Sequence, residues 1–99
     1  MNEKYIQALR EAIQRTHGCA SRYAQTVQVK EEFNVQTAWD GKVEVFDLAR
    51  HPKAQQCYAW GYKDNTGKWQ YVALLKVPPV DSPHKAVQAF MVSNSKPEA

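Results

Sequence analysis

The sequence predicts an α+β domain: an N-terminal helix, an antiparallel sheet of three to five strands and a C-terminal helix, packed as two layers with both helices on one face of the sheet. Three observations predict it. Apolar residues recur at three- and four-residue spacing from Glu3 to His17; apolar and polar residues alternate from Ala24 onward; and Ser82-Pro83 opens a second helical stretch near the C-terminus.

In the first helix, Tyr5, Ile6, Leu9, Ala12 and Ile13 fall on one stripe that must dock on something. Asn2 can cap its first turn, Gly18 supplies the left-handed residue that ends it, and Glu11 and Arg15 are spaced for an i,i+4 pair. Ala24, Val27, Val29 and Phe33 then interleave with Thr26, Gln28, Lys30 and Glu32 as a half-buried strand, with one skip that places a bend or bulge near Gln25. The run Lys42 to Leu48 is extended too, and two layouts compete before it. Either Val35 to Trp39 turns back through Asp40-Gly41, a common two-residue hairpin turn, or the chain turns at Asn34-Val35-Gln36 and Asp40-Gly41 is a bulge within one long strand. His51-Pro52 breaks the pairing, leaving a loop from Ala49 to Ala54.

A third strand runs from about Gln56 to Tyr62. Asp64 to Lys68 reads as a turn with Gly67 in a left-handed bulge position, and a fourth strand runs from Trp69 to Lys76. Pro78-Pro79 stops that strand; Ser82 then caps a helix with Pro83 at its first position and Ala86, Val87, Phe90 and Met91 on its apolar face. Residues 93–99 read as a frayed tail of a single 1–99 domain.

The register of the third and fourth strands decides which rings share a face. With the Gly67 bulge, Tyr58, Trp60 and Tyr62 join Val72 and Leu74 against the helices, and Cys57, Ala59, Gly61, Tyr71, Ala73 and Leu75 form a flat, small, apolar opposite face. Such a face pairs with its own copy or takes a partner. Cys57, Ala59, Trp69, Tyr71, Leu75 and Trp39 are therefore the candidate interface or ligand residues.

At 99 residues with 43% hydrophobic content, the chain can bury one modest core, about two thirds of its unfolded surface, so association that hides further apolar area is expected, with a dimer favoured. The formal charge of +3 is too balanced for a dedicated nucleic-acid arm. No apolar run is long enough to span a membrane, and a charged helix follows Met1 in place of a signal sequence, so the expected location is the cytoplasm and the expected state of Cys19 and Cys57 is the free thiol. Neither His17 with Cys19 nor His51 with Cys57 has the closely spaced partners of a zinc site. Phosphate loops, serine elbows and dinucleotide fingerprints are lacking, so no cofactor, metal or catalytic residue is assigned.

The basic residues Arg50 and Lys53 in one loop, and His84 and Lys85 in the first turn of the last helix, are candidate anion-binding groups. The order helix, strands, helix resembles that of double-stranded RNA-binding modules, whose lysine-rich second helix start is represented here by Lys85. Over most of the chain, the run Thr37 to Leu48 with His51-Pro52-Lys53-Ala54 and Cys57-Tyr58-Ala59-Trp60 resembles a group of small uncharacterised bacterial proteins, some carried on mobile, integron-type gene cassettes. That resemblance implies a bacterial origin and a compact domain, and no activity. The expectation is a non-enzymatic interaction module that self-associates through its sheet. The alternatives are a nucleic-acid binder using the basic groups, and a small-molecule binder or enzyme with a pocket between sheet and helices around Cys57, His51, Trp39 or Trp60.

Overall fold

A computed structural model describes residues 3–33 and 36–94. Helix α1 spans Glu3–His17, strands β1 to β4 span Ser21–Phe33, Gln36–Leu48, Gln56–Lys63 and Trp69–Leu75, and helix α2 spans Pro83–Asn94. The strands form one antiparallel sheet in the order β1-β2-β3-β4, with β1 and β4 at its edges.

α1 follows its apolar stripe: Leu9, Ala12 and Ile13 are buried, and Gly18, at φ 70°, donates its N–H to Gln14 O at 2.9 Å to close the last turn. The cap expected at Asn2 lies outside the described residues. The expected Glu11–Arg15 pair is not formed among them, and Glu11 instead accepts from Gln7 Nε2 at 3.4 Å.

β1 and β2 make one long hairpin from Ser21↔Leu48 to Phe33↔Gln36, so the second of the two layouts is the one adopted. The turn expected at Asn34-Val35-Gln36 lies, at residues 34 and 35, outside the described residues. Asp40-Gly41 is neither a turn nor a bulge: Asp40 pairs with Lys30 and Gly41 with Val29, and the irregularity falls two residues earlier, at Ala38. Two contacts fix Asp40-Gly41 in the strand. Gln28 Nε2 donates to Asp40 Oδ1 at 2.9 Å, and the Trp39 ring lies 3.2 Å from where a Cβ on Gly41 would stand. The bulge expected near Gln25 is present, with Ala24 as the extra, exposed residue between Tyr23↔Phe46 and Gln25↔Val45. It turns Tyr23 to the Phe46 face and leaves Val27 and Val29 with Val43 on the other.

β3 and β4 adopt the register set by the Gly67 bulge: Tyr58 pairs with Leu74 and Trp60 with Val72. The turn holds because Gly67 takes φ 81° and the Asp64 carboxylate accepts from Thr66 N, Thr66 Oγ1, Lys68 N and Gln70 Nε2. These bonds pull the Asp64 carboxyl down to about 2. After β4 the chain turns through a cis Pro78–Pro79 bond, and Ser82 Oγ caps α2 by accepting from Lys85 N at 3.2 Å. Ser93 and Asn94, expected in the tail, are still helical.

The expectation of two layers with both helices on one face is corrected. α2 covers the Tyr58 and Trp60 face, where Ala86 and Val87 pack with Val29, Val43 and Val45, whereas α1 covers the opposite face, where Leu9 and Ile13 pack with Phe46, Cys57, Ala59 and Ala73. The sheet is thus the middle of three layers. Both of its faces are apolar, so each requires its own cover, and the small side chains of Cys57, Ala59 and Ala73 give α1 a flat bed. Complete burial of Leu9 and Ile13 stabilises the fold by about 1.5–3 kcal/mol each. No described helix is long and apolar enough to cross a membrane.

Candidate interaction site

β2 pairs with β3 only from Glu44↔Ala59 to Asp47↔Gln56, so the two hairpins part beyond Ala59. Just before β3, Gln55 O accepts from Leu48 N on the β2 side, and Gly61, of the same parity along the extended chain, directs its N–H the same way. With no strand to meet there, that N–H donates to the Tyr5 hydroxyl at 2.8 Å. Burial raises the Tyr5 pKa above the usual tyrosine value; the Gly61 bond opposes this and the Glu44 carboxylate adds to it, so Tyr5 stays a neutral acceptor. Gly61 is also the floor on which two rings rest. A Cβ there would stand 3.0 Å from Tyr71 and 3.1 Å from Tyr5.

Tyr71 continues outward into an aromatic strip on β4. Its ring lies nearly parallel to that of Trp69 (12°, centroids 6.4 Å apart), Tyr5 tilts against Trp69 at 6.5 Å, and Lys63 Nζ sits 5.7 Å from the centre of the Trp69 ring. Trp69 is 48% exposed and Tyr71 37%, the large hydrophobic residues left in water among the described residues.

The backbone beneath the strip is an open edge. Lys76 N donates inward to Gln56 O, which fixes the even residues of β4 toward β3 and turns the N–H and C=O of Trp69, Tyr71, Ala73 and Leu75 outward. In the second half of this edge both outward carbonyls are taken: His17 Nε2 donates to Ala73 O at 2.9 Å, and Leu75 O accepts from Val77 N. The first half, at Trp69 and Tyr71, has no partner among the described residues.

Of the other residues named from sequence, Cys57 and Ala59 are fully buried under α1 and offer no surface. Burial pushes the Cys57 thiol up to about 12, with Cys19 adding slightly, so it is not a nucleophile near neutral pH. Leu75 is half-buried beside Cys57. Trp39 belongs to the α2-side core, edge-on to Trp60 at 5.6 Å. The two basic groups are not brought together: Arg50 and Lys53 flank the Leu48 end of the sheet, whereas His84 meets Glu31, ten residues along β1 from Ser21, roughly 33 Å of extended strand. His84 and Lys85 are also committed, to Glu31 at 3.1 Å and to Asp81 at 3.2 Å. Bonds from Gln88 and then His84 hold the Glu31 carboxyl below the usual range.

Sequence reasoning missed Tyr5, Lys63, His17 and Glu44. Glu44, buried on the α1 side, accepts from the Thr26 hydroxyl, which is bonded in turn to the Tyr23 hydroxyl at 2.5 Å, and it has no cationic partner among the described residues. Tyr5 was legible only as part of an apolar stripe, because its hydroxyl acquires a role only once the hairpins part. No cluster of His, Cys, Asp or Glu able to hold a metal ion occurs among the described residues. These features define an α+β domain with an aromatic, half-open sheet edge. Comparison with protein-family models, with curated proteins and with solved structures finds no match.

Proposed function

We propose that the protein is a small non-enzymatic interaction module that forms a dimer by strand addition at the β4 edge. The observation that carries this reading is the division of that edge: the outward carbonyls of Ala73 and Leu75 are taken, while Trp69 and Tyr71 keep their outward backbone groups and exposed rings. Proteins ordinarily blunt an apolar edge against pairing, and here only one half is blunted. Antiparallel pairing about Gln70 sets Trp69 of each copy against Tyr71 of the other, so the surface is self-complementary, as a two-fold interface requires. With α1 and α2 on the two faces, the edge and not the face is the place for a partner, which shifts the contact away from Cys57 and Ala59. A bacterial cytoplasm suits the two free thiols, Cys19 and Cys57.

Sedimentation velocity at micromolar concentration tests this. The wild type is expected at twice 11.3 kDa. Tyr71→Pro, which removes an outward N–H and no bond to β3, and Trp69→Ser are both expected at the monomer mass with the native circular dichroism spectrum retained. A wild type that stays monomeric, or a Tyr71→Pro variant that stays dimeric, refutes the proposal. The nucleic-acid alternative is weaker because His84 and Lys85 already hold carboxylates.

A further inference from the structure

At the opposite end of β4, a groove of about 510 Å³ opens between the β2–β3 loop and the strand end, lined by Asp47, His51, Lys53, Gln56 and Lys76, among others. We propose that this groove binds a small phosphate-type oxyanion. Its volume is that of a small-ligand site, and its walls are polar. Lys53 and Lys76 enter from different elements, and neither has a carboxylate partner among the described residues; Lys76 makes only a long contact to Gln56 Oε1 at 3.5 Å. The one carboxylate of the lining, Asp47, is already taken: it accepts from Gln56 Nε2 at 3.0 Å and pairs with Arg22 at 3.3 Å. Positive charge in the groove is therefore uncompensated.

The loop is also built to hold donors in place. His51 Nδ1 accepts the backbone N–H groups of Lys53 at 3.0 Å and Ala54 at 3.2 Å, so its remaining nitrogen carries the proton and can only donate. His17 packs edge-on against the His51 ring at 6.2 Å, itself tied to Ala73 O. Arg50 takes φ 59°, a left-handed conformation uncommon for a non-glycine residue. Two ammonium groups and a ring N–H around one cavity match an anion with several oxygens.

Titration of the full chain with inorganic phosphate, followed by amide NMR shifts, tests the proposal. Saturable shifts confined to residues 51–56 and 76 are expected. Lys53→Gln and Lys76→Gln, both at exposed positions, are each expected to weaken binding about ten-fold, whereas Lys30→Gln leaves it unchanged. Shifts that do not saturate, or glutamine variants that bind as tightly as the wild type, overturn it. A short single-stranded oligonucleotide that binds where free phosphate does not overturns it in favour of a nucleic-acid backbone.

Discussion

Gly61 carries more constraint than its size implies, because its missing side chain is the space into which Tyr5 and Tyr71 fit. Gly61→Val is expected to cost about 1–3 kcal/mol through overpacking, read as a lower urea midpoint. Tyr5→Phe keeps the ring and removes the acceptor for Gly61 N–H, an expected loss of about 1 kcal/mol in the same assay. Arg50→Gly is expected to act in the other direction, raising stability by up to about 1 kcal/mol as left-handed strain is relieved against a freer unfolded chain. Asp64 gives a pH signature. Its folded pKa of about 2 lies below the ordinary 3.8, so its contribution is fully present above 3.8 and is lost as pH falls toward about 2. Asp64→Ala is therefore expected to be less stable than wild type at neutral pH, with the gap closing at the acid end of a pH series of urea melts. The Asp64 turn was legible from sequence because its grammar is local. The roles of Tyr5 and Gly61 were not, since they arise between residues 56 positions apart.

Among the elements, α1 is the one whose placement changes the interpretation. Its stripe announced a docking helix, but which sheet face received it depended on the other helix. With both helices expected on the Tyr58 and Trp60 face, the sequence leaves Cys57, Ala59 and Ala73 bare and makes them a surface for partners, whereas α1 covers them. Removing that cover has two expected consequences. Leu9→Ala is expected to cost about 2–5 kcal/mol, and it should convert Cys57 from a thiol inert to alkylation in native buffer to a reactive one, with mass spectrometry distinguishing it from Cys19. Equal Cys57 labelling in wild type and variant would place α1 elsewhere. The β1–β2 hairpin teaches the same lesson at Asp40-Gly41. A strong local turn signal yielded to a ladder of twelve residue pairs, interrupted only at Ala24 and Ala38, and to the Trp39 ring seated over Gly41.

For the whole molecule, three layers leave a sheet with covered faces and exposed edges, so association is a question about edges. β1 is lined with charge, including Arg22, Lys30, Glu31 and Glu32, as edges that resist pairing usually are. β4 is guarded at one end by His17 and carries bare rings at the other. Because a dimer stabilises its folded protomers by mass action, the unfolding midpoint of the wild type is expected to rise with protein concentration, and that of Tyr71→Pro to stay flat. The two ends of β4 hold separate surfaces, so phosphate binding in the groove is expected to survive Tyr71→Pro.

Sequence was enough for the α+β class, the two helices and the extended runs, and its turn residues favour the β3–β4 register that the structure adopts. All of these follow from periodicity and from turn residues acting over a few positions. The tertiary structure alone decided the face on which each helix lies, the seat of Asp40-Gly41 within β2, the burial of Cys57 and Ala59, and the separation of Arg50 and Lys53 from His84 and Lys85. Those outcomes depend on which apolar surfaces compete for cover, and that competition is settled only when every element is in place.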